Sequence, residues 1–134
     1  MKKYLLDTNI CVYFLKGQFD LHQKIQDVGE VNCLLSEVTI AELKYGAENS
    51  TQKEKNRKNL EAFQSKFGIL PIFPSLDIYA KEKARLKTKG KILDDFDLLI
   101  GATAISNDLI LVTKNVSDFD RLEGIEIEDW TVSR

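Results

Sequence analysis

The 134-residue sequence lacks any apolar run near the roughly 20 residues that a membrane-spanning helix needs. Its first residues, MKKYLLDTN, begin like a secretory leader, but Asp7 interrupts the apolar run after three residues. The apolar region of a leader takes about 7–15 residues, so this segment does not fit one. We therefore expect a cytoplasmic protein.

Cysteine and histidine are also scarce, and glycine-rich nucleotide-binding loops are missing from the sequence. Cys11 and Cys33 lie in apolar surroundings without a CxxC pair, which predicts buried thiols and no disulfide framework. The single histidine, His22, stands in a polar segment and is expected at the surface. These absences disfavour a zinc site, a serine–histidine–aspartate triad and a histidine general base. The chain also has neither GxxxxGK[ST] nor GxGxxG, the usual nucleotide-binding loops.

The chain has only two prolines and no repeats or flexible linkers, so we expect one domain over residues 1–134. Short continuous apolar runs alternate with helical periodicity, which is typical of a parallel sheet covered by helices on both faces. The sequence therefore predicts an α/β fold with a central parallel sheet of four to five strands. Pro71 should mark an edge strand and Gly68 a helix end. The predicted strands are 4–6, 31–35, 69–73, 109–112 and 125–127, and the main predicted helices are 9–16, 20–28, 39–48, 53–67, 76–88 and 96–106.

Polar side chains follow three of the predicted strands. Asp7 directly follows the first strand, Ser36 the second, and residues 113–118 the fourth. Sites in parallel sheets form at the carboxyl ends of the strands, so these side chains are expected near one another. A carboxylate that ends a buried strand must be paired or bind a cation, which makes Asp7 the first candidate.

Purely structural roles are open for the acidic candidates. Asp7 can cap the helix that follows it, and Thr39 with Glu42 has the S/T-x-x-E spacing of a capping box. Asp97 belongs to DDFD at residues 94–97, a helix first turn where the dipole favours carboxylates by about 0.3–1 kcal/mol. Capping needs only one acidic group, however, and three carboxylates at one helix terminus repel one another unless some face a cation.

An all-oxygen set of candidates suits a hard cation, Mg²⁺ or Mn²⁺, rather than zinc. Without a histidine base or a nucleotide loop, the remaining chemistry is that of a bound metal ion. Such an ion activates water and neutralises charge on a phosphodiester. The residues therefore indicate metal-dependent hydrolysis of a phosphodiester.

Four segments in this order resemble the PIN-domain ribonucleases, and specifically the VapC-type toxins of type II toxin–antitoxin pairs. No single segment is specific, but the ordered set is. The resemblance implies an Mg²⁺- or Mn²⁺-dependent endoribonuclease that uses metal-activated water to cut cellular RNA, either transfer RNA or ribosomal RNA. The segments are YLLDTNI at 4–10, SEVTIAELKYGAE at 36–48, FDLLIGATAISNDLILVTKNVSDFDRL at 96–122 and IEIEDW at 125–130.

The resemblance also implies roles for individual residues. Asp7, Glu42, Asp97 and Asp118 match the acidic quartet of the family and would be its catalytic, metal-binding residues. Asp7 and Asp97 would be the principal metal ligands. Glu42 would act through the metal or its water, and Asp118 would be the fourth carboxylate.

A supporting shell and one departure complete the resemblance. Phe96 stands where similar toxins often have a small or polar residue, and the neighbouring Asp94 and Asp95 are open as accessory groups or plain caps. The polar side chains expected to support the quartet are those of Thr8, Asn9, Thr113 and Asn115.

Two other functions stay open. A catalytically degenerate PIN-fold binding module would share the fold, but degeneration should remove a carboxylate first, and the quartet is intact. An aspartyl-nucleophile phosphohydrolase would use Asp7. Such enzymes usually have a second acidic residue two positions on, where this chain has Asn9.

Basic side chains concentrate just before the acidic segment. Residues 81–91 contain six basic side chains and one acidic one, whereas residues 94–134 contain ten acidic and three basic side chains. Spacing by two spreads the charges around a helix, so a solvated helix face is one interpretation. The other is a rim that follows RNA phosphates, formed by Lys87, Lys89 and Lys91.

The resemblance implies a homodimer and a cognate VapB-type antitoxin besides the RNA substrate, with no membrane partner. An antitoxin tail could insert an Arg or Lys between the carboxylates in place of the metal's charge. Val12, Tyr13, Phe14 and Leu15 give the first helix more apolar surface than one core-facing stripe requires. That spare face is the candidate groove for the tail, and complete burial in the core is the alternative.

Overall fold

The computed structural model describes residues 2–132 and is built on a five-stranded sheet in which all neighbouring strands are parallel. The spatial order is β3-β2-β1-β4-β5, so the first strand lies in the middle of the sheet. The strands are β1 (Tyr4–Leu6), β2 (Cys33–Ser36), β3 (Gly68–Leu70), β4 (Ile110–Val112) and β5 (Glu126–Glu128).

Seven α-helices within residues 2–132 surround this sheet. Two short 3₁₀ turns, Glu30–Asn32 and Phe73–Ser75, precede β2 and the fifth helix. None of the helices in this range has both the length and the apolarity to cross a membrane. The helices are α1 (Thr8–Leu15), α2 (Leu21–Val28), α3 (Glu37–Glu48), α4 (Lys53–Gln64), α5 (Leu76–Thr88), α6 (Asp95–Ser106) and α7 (Val116–Phe119).

Alternate strand residues enter two apolar cores, one on each face of the sheet. Leu6 and Val112 join the core that contains side chains of α1, α2 and α4. Leu5 and Leu111 join the core that contains side chains of α5, α6 and α7. Because both faces are buried, the strands are continuous apolar runs rather than alternating ones. The predicted α/β class with a helix-covered parallel sheet is confirmed.

The third helix begins two residues earlier than predicted. Ser36 ends β2, and its Oγ accepts a hydrogen bond from the backbone N–H of Val38 (3.1 Å). The helix therefore starts at Glu37, and Ser36 is its cap. Thr39 and Glu42 lie inside this helix, so the capping-box interpretation of Glu42 is wrong.

The sequence predicts that Gly68 ends the fourth helix, but in the structure it does not. The helix ends at Gln64, and Gly68 is the first residue of β3. A Cβ atom at this position would lie 2.8 Å from Cδ2 of Leu34 on β2, so glycine permits the close approach of the two strands. The strand ends before Pro71 and lies at the edge of the sheet, which confirms the edge prediction.

The scarce residues lie where the sequence predicts. Cys11 and Cys33 are both buried and unpaired. His22 is exposed at the surface, and its ring lies 4.4 Å from that of Phe14. Neither finding provides a zinc ligand set.

Candidate active site

Asp7 lies at the carboxyl end of β1, the middle strand, and only 4% of it is exposed. Its Oδ1 accepts the backbone N–H of Thr8 (2.8 Å), which makes Asp7 the cap of α1. Its Oδ2 accepts the hydroxyl of Thr113 (2.8 Å) at the end of β4. Burial raises the pKa of Asp7, and the charge of Glu42 adds to the rise, while the two hydrogen bonds oppose it.

Glu42 faces the start of α1 from the neighbouring helix α3. Its Oε1 accepts the hydroxyl of Thr8 (2.7 Å). The same hydroxyl lies 3.1 Å from Oγ1 of Thr39, which is completely buried. Thr8 therefore connects the acidic side chain of α3 to the helix that Asp7 caps.

Asp118 is joined to Asp7 through a short polar chain. Asn115 Nδ2 donates to Oδ2 of Asp118 (2.7 Å). The backbone N–H of Asn115 donates to Oγ1 of Thr113 (3.0 Å), whose hydroxyl in turn donates to Asp7. Arg121 also approaches Oδ1 of Asp118 at 3.4 Å. The loop after β4 thus orients two carboxylates at once.

Asp97 lies in the first turn of α6 and is partly buried. Its pKa is raised to about 6 from an ordinary 3.8. Burial is the largest cause, and negative neighbours add to it. Those neighbours are Asp7, Asp94, Glu42 and Asp118. We call Asp7, Glu42, Asp97 and Asp118 the carboxylate cluster, since the fold brings all four to this edge of the sheet.

The other acidic residues of DDFD differ in what they contact. Asp94 caps α6 by accepting the backbone N–H of Phe96 (3.2 Å), and its charge acts on Asp97. Asp95 instead binds Lys83 Nζ (2.8 Å) and the hydroxyl of Tyr79 on α5 (2.9 Å). Asp95 is therefore engaged outside the carboxylate cluster.

The polar shell is assembled except for one residue. Thr8, Thr113 and Asn115 each hydrogen-bond a carboxylate of the cluster. Asn9 is exposed, and within residues 2–132 its side chain makes no hydrogen bond to the cluster. Thr39 is a buried member of this polar shell, in contact with Thr8. The sequence did not indicate this role, because the spacing of Thr39 and Glu42 fits a helix cap equally well.

The donor atoms fit a hard cation. All four cluster residues offer carboxylate oxygen, which Mg²⁺ and Mn²⁺ prefer. Across the described part of the chain, no three Asp, Glu, His or Cys side chains are placed so that they could hold a metal ion together. Mg²⁺ usually binds through one or two carboxylates and keeps several waters, so a complete cage is not required. Burial and then the negative neighbours raise the pKa of Asp97, and a divalent cation would neutralise the charge of those neighbours.

Some basic residues in and after α5 bind acidic or carbonyl groups, and others are exposed to solvent. Lys83 pairs with Asp95, and Arg85 binds Glu82 (2.8 Å) and the backbone carbonyl of Arg121 (2.6 Å). These two cations stabilise packing between elements. Beyond them, at the end of α5 and in the segment after it, lie three exposed lysines, Lys87, Lys89 and Lys91.

A groove of about 640 Å³ extends from the carboxylate cluster along α1, α3 and α4. We call it the α1–α4 groove. Thr8 and Glu42 line one part of it, and Val12, Phe14 and Leu15 supply apolar surface. Leu15 is 42% exposed, whereas Phe14 is buried. Part of α1 therefore remains uncovered, as its apolar excess predicts, although Tyr13 does not line the groove.

Comparison with known proteins finds relatives along nearly the whole chain. The PIN domain family matches residues 4–125. Ribonuclease VapC2 of Rickettsia felis is 35% identical over 130 residues, which cover 95% of this chain and 97% of the relative. The tRNA(fMet)-specific endonuclease VapC of Shigella flexneri is 33% identical over 98% of this chain and 100% of the relative.

The solved structures agree with this similarity. A chain in the crystal structure of DNA-bound VapBC from Salmonella typhimurium superposes with a TM-score of 0.90 at 32% identity. The superposition covers 97% of this chain and 99% of that one. The likeness therefore extends over nearly the whole fold.

Proposed function

Because the chain belongs to the PIN-domain family, we propose that it is a VapC-type endoribonuclease, the toxin of a type II toxin–antitoxin pair. It hydrolyses phosphodiester bonds in cellular RNA and depends on Mg²⁺ or Mn²⁺. The observation that carries the proposal is the gathering of Asp7, Glu42 and Asp118 around a fourth, partly buried carboxylate, that of Asp97. The relatives named above are ribonucleases, and their similarity to this chain extends over nearly its full length.

Asp7 and Asp97 are the residues we assign to hold the metal ion. A bound Mg²⁺ or Mn²⁺ supplies an activated water and neutralises charge on the phosphodiester. The hydroxyl of Thr113 donates a hydrogen bond to one oxygen of Asp7 and so restricts rotation of that carboxylate. Glu42, oriented by Thr8, orients the attacking water, and Asn115 holds Asp118 in place.

The two alternative functions fit the contacts less well. An aspartyl nucleophile needs an accessible carboxylate oxygen, but Asp7 is 4% exposed and both of its oxygens accept hydrogen bonds. A degenerate binding module would not need a carboxylate whose pKa is raised by burial and by the charges of Asp7, Glu42 and Asp118. Both features favour a site built around a cation.

The substrate and partners extend the same proposal. The RNA is transfer RNA or ribosomal RNA, and the naming of one relative as tRNA(fMet)-specific favours transfer RNA. We assign the α1–α4 groove to the tail of a VapB-type antitoxin, because it joins apolar surface to Glu42 of the cluster. An Arg or Lys of that tail would neutralise the carboxylates in place of the metal. The toxin would act in the cytoplasm as a homodimer.

Metal dependence is tested on the purified protein with unfractionated transfer RNA and ribosomal RNA. Mg²⁺ or Mn²⁺ should restore cleavage to protein stripped with EDTA, whereas zinc should restore it poorly because the cluster offers only oxygen donors. Sequencing of RNA ends after expression would identify the cut. Cleavage at full rate in EDTA would exclude a metal-dependent mechanism.

A further inference from the structure

The side chain of Lys114 lies over two aromatic rings beside the carboxylate cluster. Its Nζ is 5.7 Å from the ring centre of Tyr13 and 5.4 Å from that of Phe19. The two rings contact each other edge to face, with centres 5.0 Å apart and an interplanar angle of 73°. We call these three residues the Lys114 cage. Such contacts attract the ammonium to the ring faces and fix its position.

The backbone on either side of Lys114 belongs to the candidate active site. Thr113 donates to Asp7, and Asn115 donates to Asp118. Consecutive Cα atoms are about 3.8 Å apart, so the Lys114 backbone is fixed between two residues that orient carboxylates. The cage therefore holds a positive charge at the border of an acidic site.

Lys114 does not neutralise that site. Within residues 2–132 it forms no ion pair, although the residues on either side of it hydrogen-bond Asp7 and Asp118. The aromatic rings hold the ammonium, and this leaves both the carboxylates and the ammonium available to other ligands.

The backbone that carries Phe19 is held in an uncommon conformation. Phe19 and Asp20 have φ angles of +60° and +55°, in the left-handed region that a bulky residue such as Phe rarely adopts. Phe19 is 41% exposed, so burial of its ring does not account for this conformation. Backbone strain of this kind persists where the surrounding structure enforces it, and it clusters at functional sites.

We propose that Lys114 is a substrate-positioning residue that binds a phosphate of the RNA next to the scissile one, with Tyr13 and Phe19 holding its ammonium in place. This inference rests on the ribonuclease function proposed above. An acidic site repels the RNA backbone, and only the scissile phosphate would be compensated by the metal. A fixed cation at the border offsets that repulsion for the neighbouring phosphate.

The test compares RNA binding by Lys114→Gln with binding by Lys3→Gln. Both variants lose one exposed positive charge, but Lys3 precedes β1 and lies at the opposite, amino-terminal edge of the sheet. Binding of a mixed-sequence single-stranded RNA and of unfractionated transfer RNA is measured without metal across a series of salt concentrations. Lys114→Gln should bind about fivefold more weakly at 0.1 M salt and lower the salt slope by about 0.7 for the single strand.

Further variants separate the charge from the cage. Lys114→Arg should keep the affinity and the salt slope. Tyr13→Leu and Phe19→Leu should weaken binding without changing the slope, because they remove the ring faces and keep the charge. In steady-state cleavage, Lys114→Gln should raise KM more than it lowers kcat. Thermal unfolding of each variant checks that the fold is retained.

Several outcomes would overturn the inference. One is an unchanged affinity and slope for Lys114→Gln, and another is a wild-type protein that binds neither RNA at low salt. A lower melting temperature with unchanged RNA binding would show that the cage only anchors the loop. Loss of the antitoxin complex with unchanged RNA binding would assign the cage to the protein partner. Normal binding without metal-stimulated cleavage would instead contradict the proposed function.

Discussion

At the scale of single residues, the pKa of Asp97 shows the effect of gathering the carboxylates in a partly buried site. Its pKa is raised from 3.8 to about 6, first by burial and then by its negative neighbours. In the metal-free protein the folded state therefore binds a proton more tightly than the unfolded chain does. The stability that this proton contributes is fully present below about pH 4 and is lost as pH rises through about 6.

Replacement of Asp97 by Asn should therefore stabilise the metal-free protein while it removes activity. The melting temperature of Asp97→Asn should match wild type near pH 4 and exceed it by several degrees above pH 6, since the unfavourable charge is gone. Cleavage should fall by at least about a hundredfold. Loss of a residue that only contacts a metal ligand already lowers metal affinity or activity by about 10–100-fold, and Asp97 is assigned to the metal itself. Calorimetry in EDTA and cleavage in Mg²⁺ measure the two effects.

Asp95→Asn is the matched control, because it removes a neighbouring charge from the same helix turn. The carboxylate of Asp95 is bound to Lys83 and Tyr79, and those bonds lower its pKa. This variant should keep its activity and gain no stability at high pH. If Asp97→Asn also kept its activity, the role of Asp97 would be confined to the first turn of α6, where its charge favours the helix dipole and Asp94 is the cap.

The acidic quartet comes from the family resemblance, and its catalytic role stays a prediction. The residues themselves point to Asp7, which follows a strand, and to Asp97, which lies in the first turn of a helix. Glu42 illustrates the limit of that reasoning. Its spacing from Thr39 fits a capping box, yet Ser36 caps the helix and Glu42 binds Thr8 instead. The Lys114 cage could not be predicted, because Tyr13 and Lys114 are about a hundred residues apart and only tertiary packing joins them.

At the scale of elements, α5 shows how one basic helix serves two purposes. Lys83 and Arg85 are committed to Asp95 and Glu82 on their own or neighbouring elements. The lysines at and beyond its carboxyl end remain exposed. A pattern of alternate basic residues therefore predicts charge on all sides of a helix, whereas only the structure distinguishes pairing from availability.

Joint replacement of Lys87, Lys89 and Lys91 by Gln should weaken RNA binding and reduce its dependence on salt. Each lost phosphate contact should lower the slope by about 0.7 on single-stranded RNA, because fewer counterions are released. Cleavage at saturating substrate should change little. The matched control replaces three exposed lysines of α4, which are Lys53, Lys55 and Lys58. Equal slopes for the two triple variants would identify the end of α5 as a solvated surface.

At the scale of the whole molecule, the strand order explains where the site lies. The chain proceeds from β1 outward to β2 and β3 on one side, and to β4 and β5 on the other. The crevice between β1 and β4 is thus a point where the order reverses, the usual position of sites in open parallel sheets. Asp7 and Thr113 flank it. The strand–helix alternation predicts this class of sheet, while strand boundaries shift because capping and turns decide them locally.

The α1–α4 groove gives the whole-molecule prediction, which concerns the antitoxin. Co-expression with the neighbouring small reading frame should rescue growth and yield a complex that copurifies, and its mass should show two copies of the toxin. Gly46 lines the groove, and a Cβ atom there would meet nothing within 4 Å. Gly46→Phe should therefore fill the groove without disturbing the core, and so release the antitoxin.

Ala41→Phe is the control for this variant, because Ala41 is an exposed residue of α3 that does not line the groove. It should copurify with the antitoxin as wild type does. Both variants should cleave RNA in isolation. A Gly46→Phe protein that still copurifies at wild-type yield would place the antitoxin on another surface.

The hydrogen bond between Asp7 and Thr113 also bears on the order of events during synthesis. The two residues are 106 positions apart, and β1 pairs with β4 only after most of the chain exists. Contacts of such long range form slowly, because the intervening chain must first be ordered. A nascent toxin on the ribosome therefore carries Asp7 early but has no assembled site until its last quarter emerges. Nuclease activity therefore cannot appear until synthesis of the chain is nearly complete.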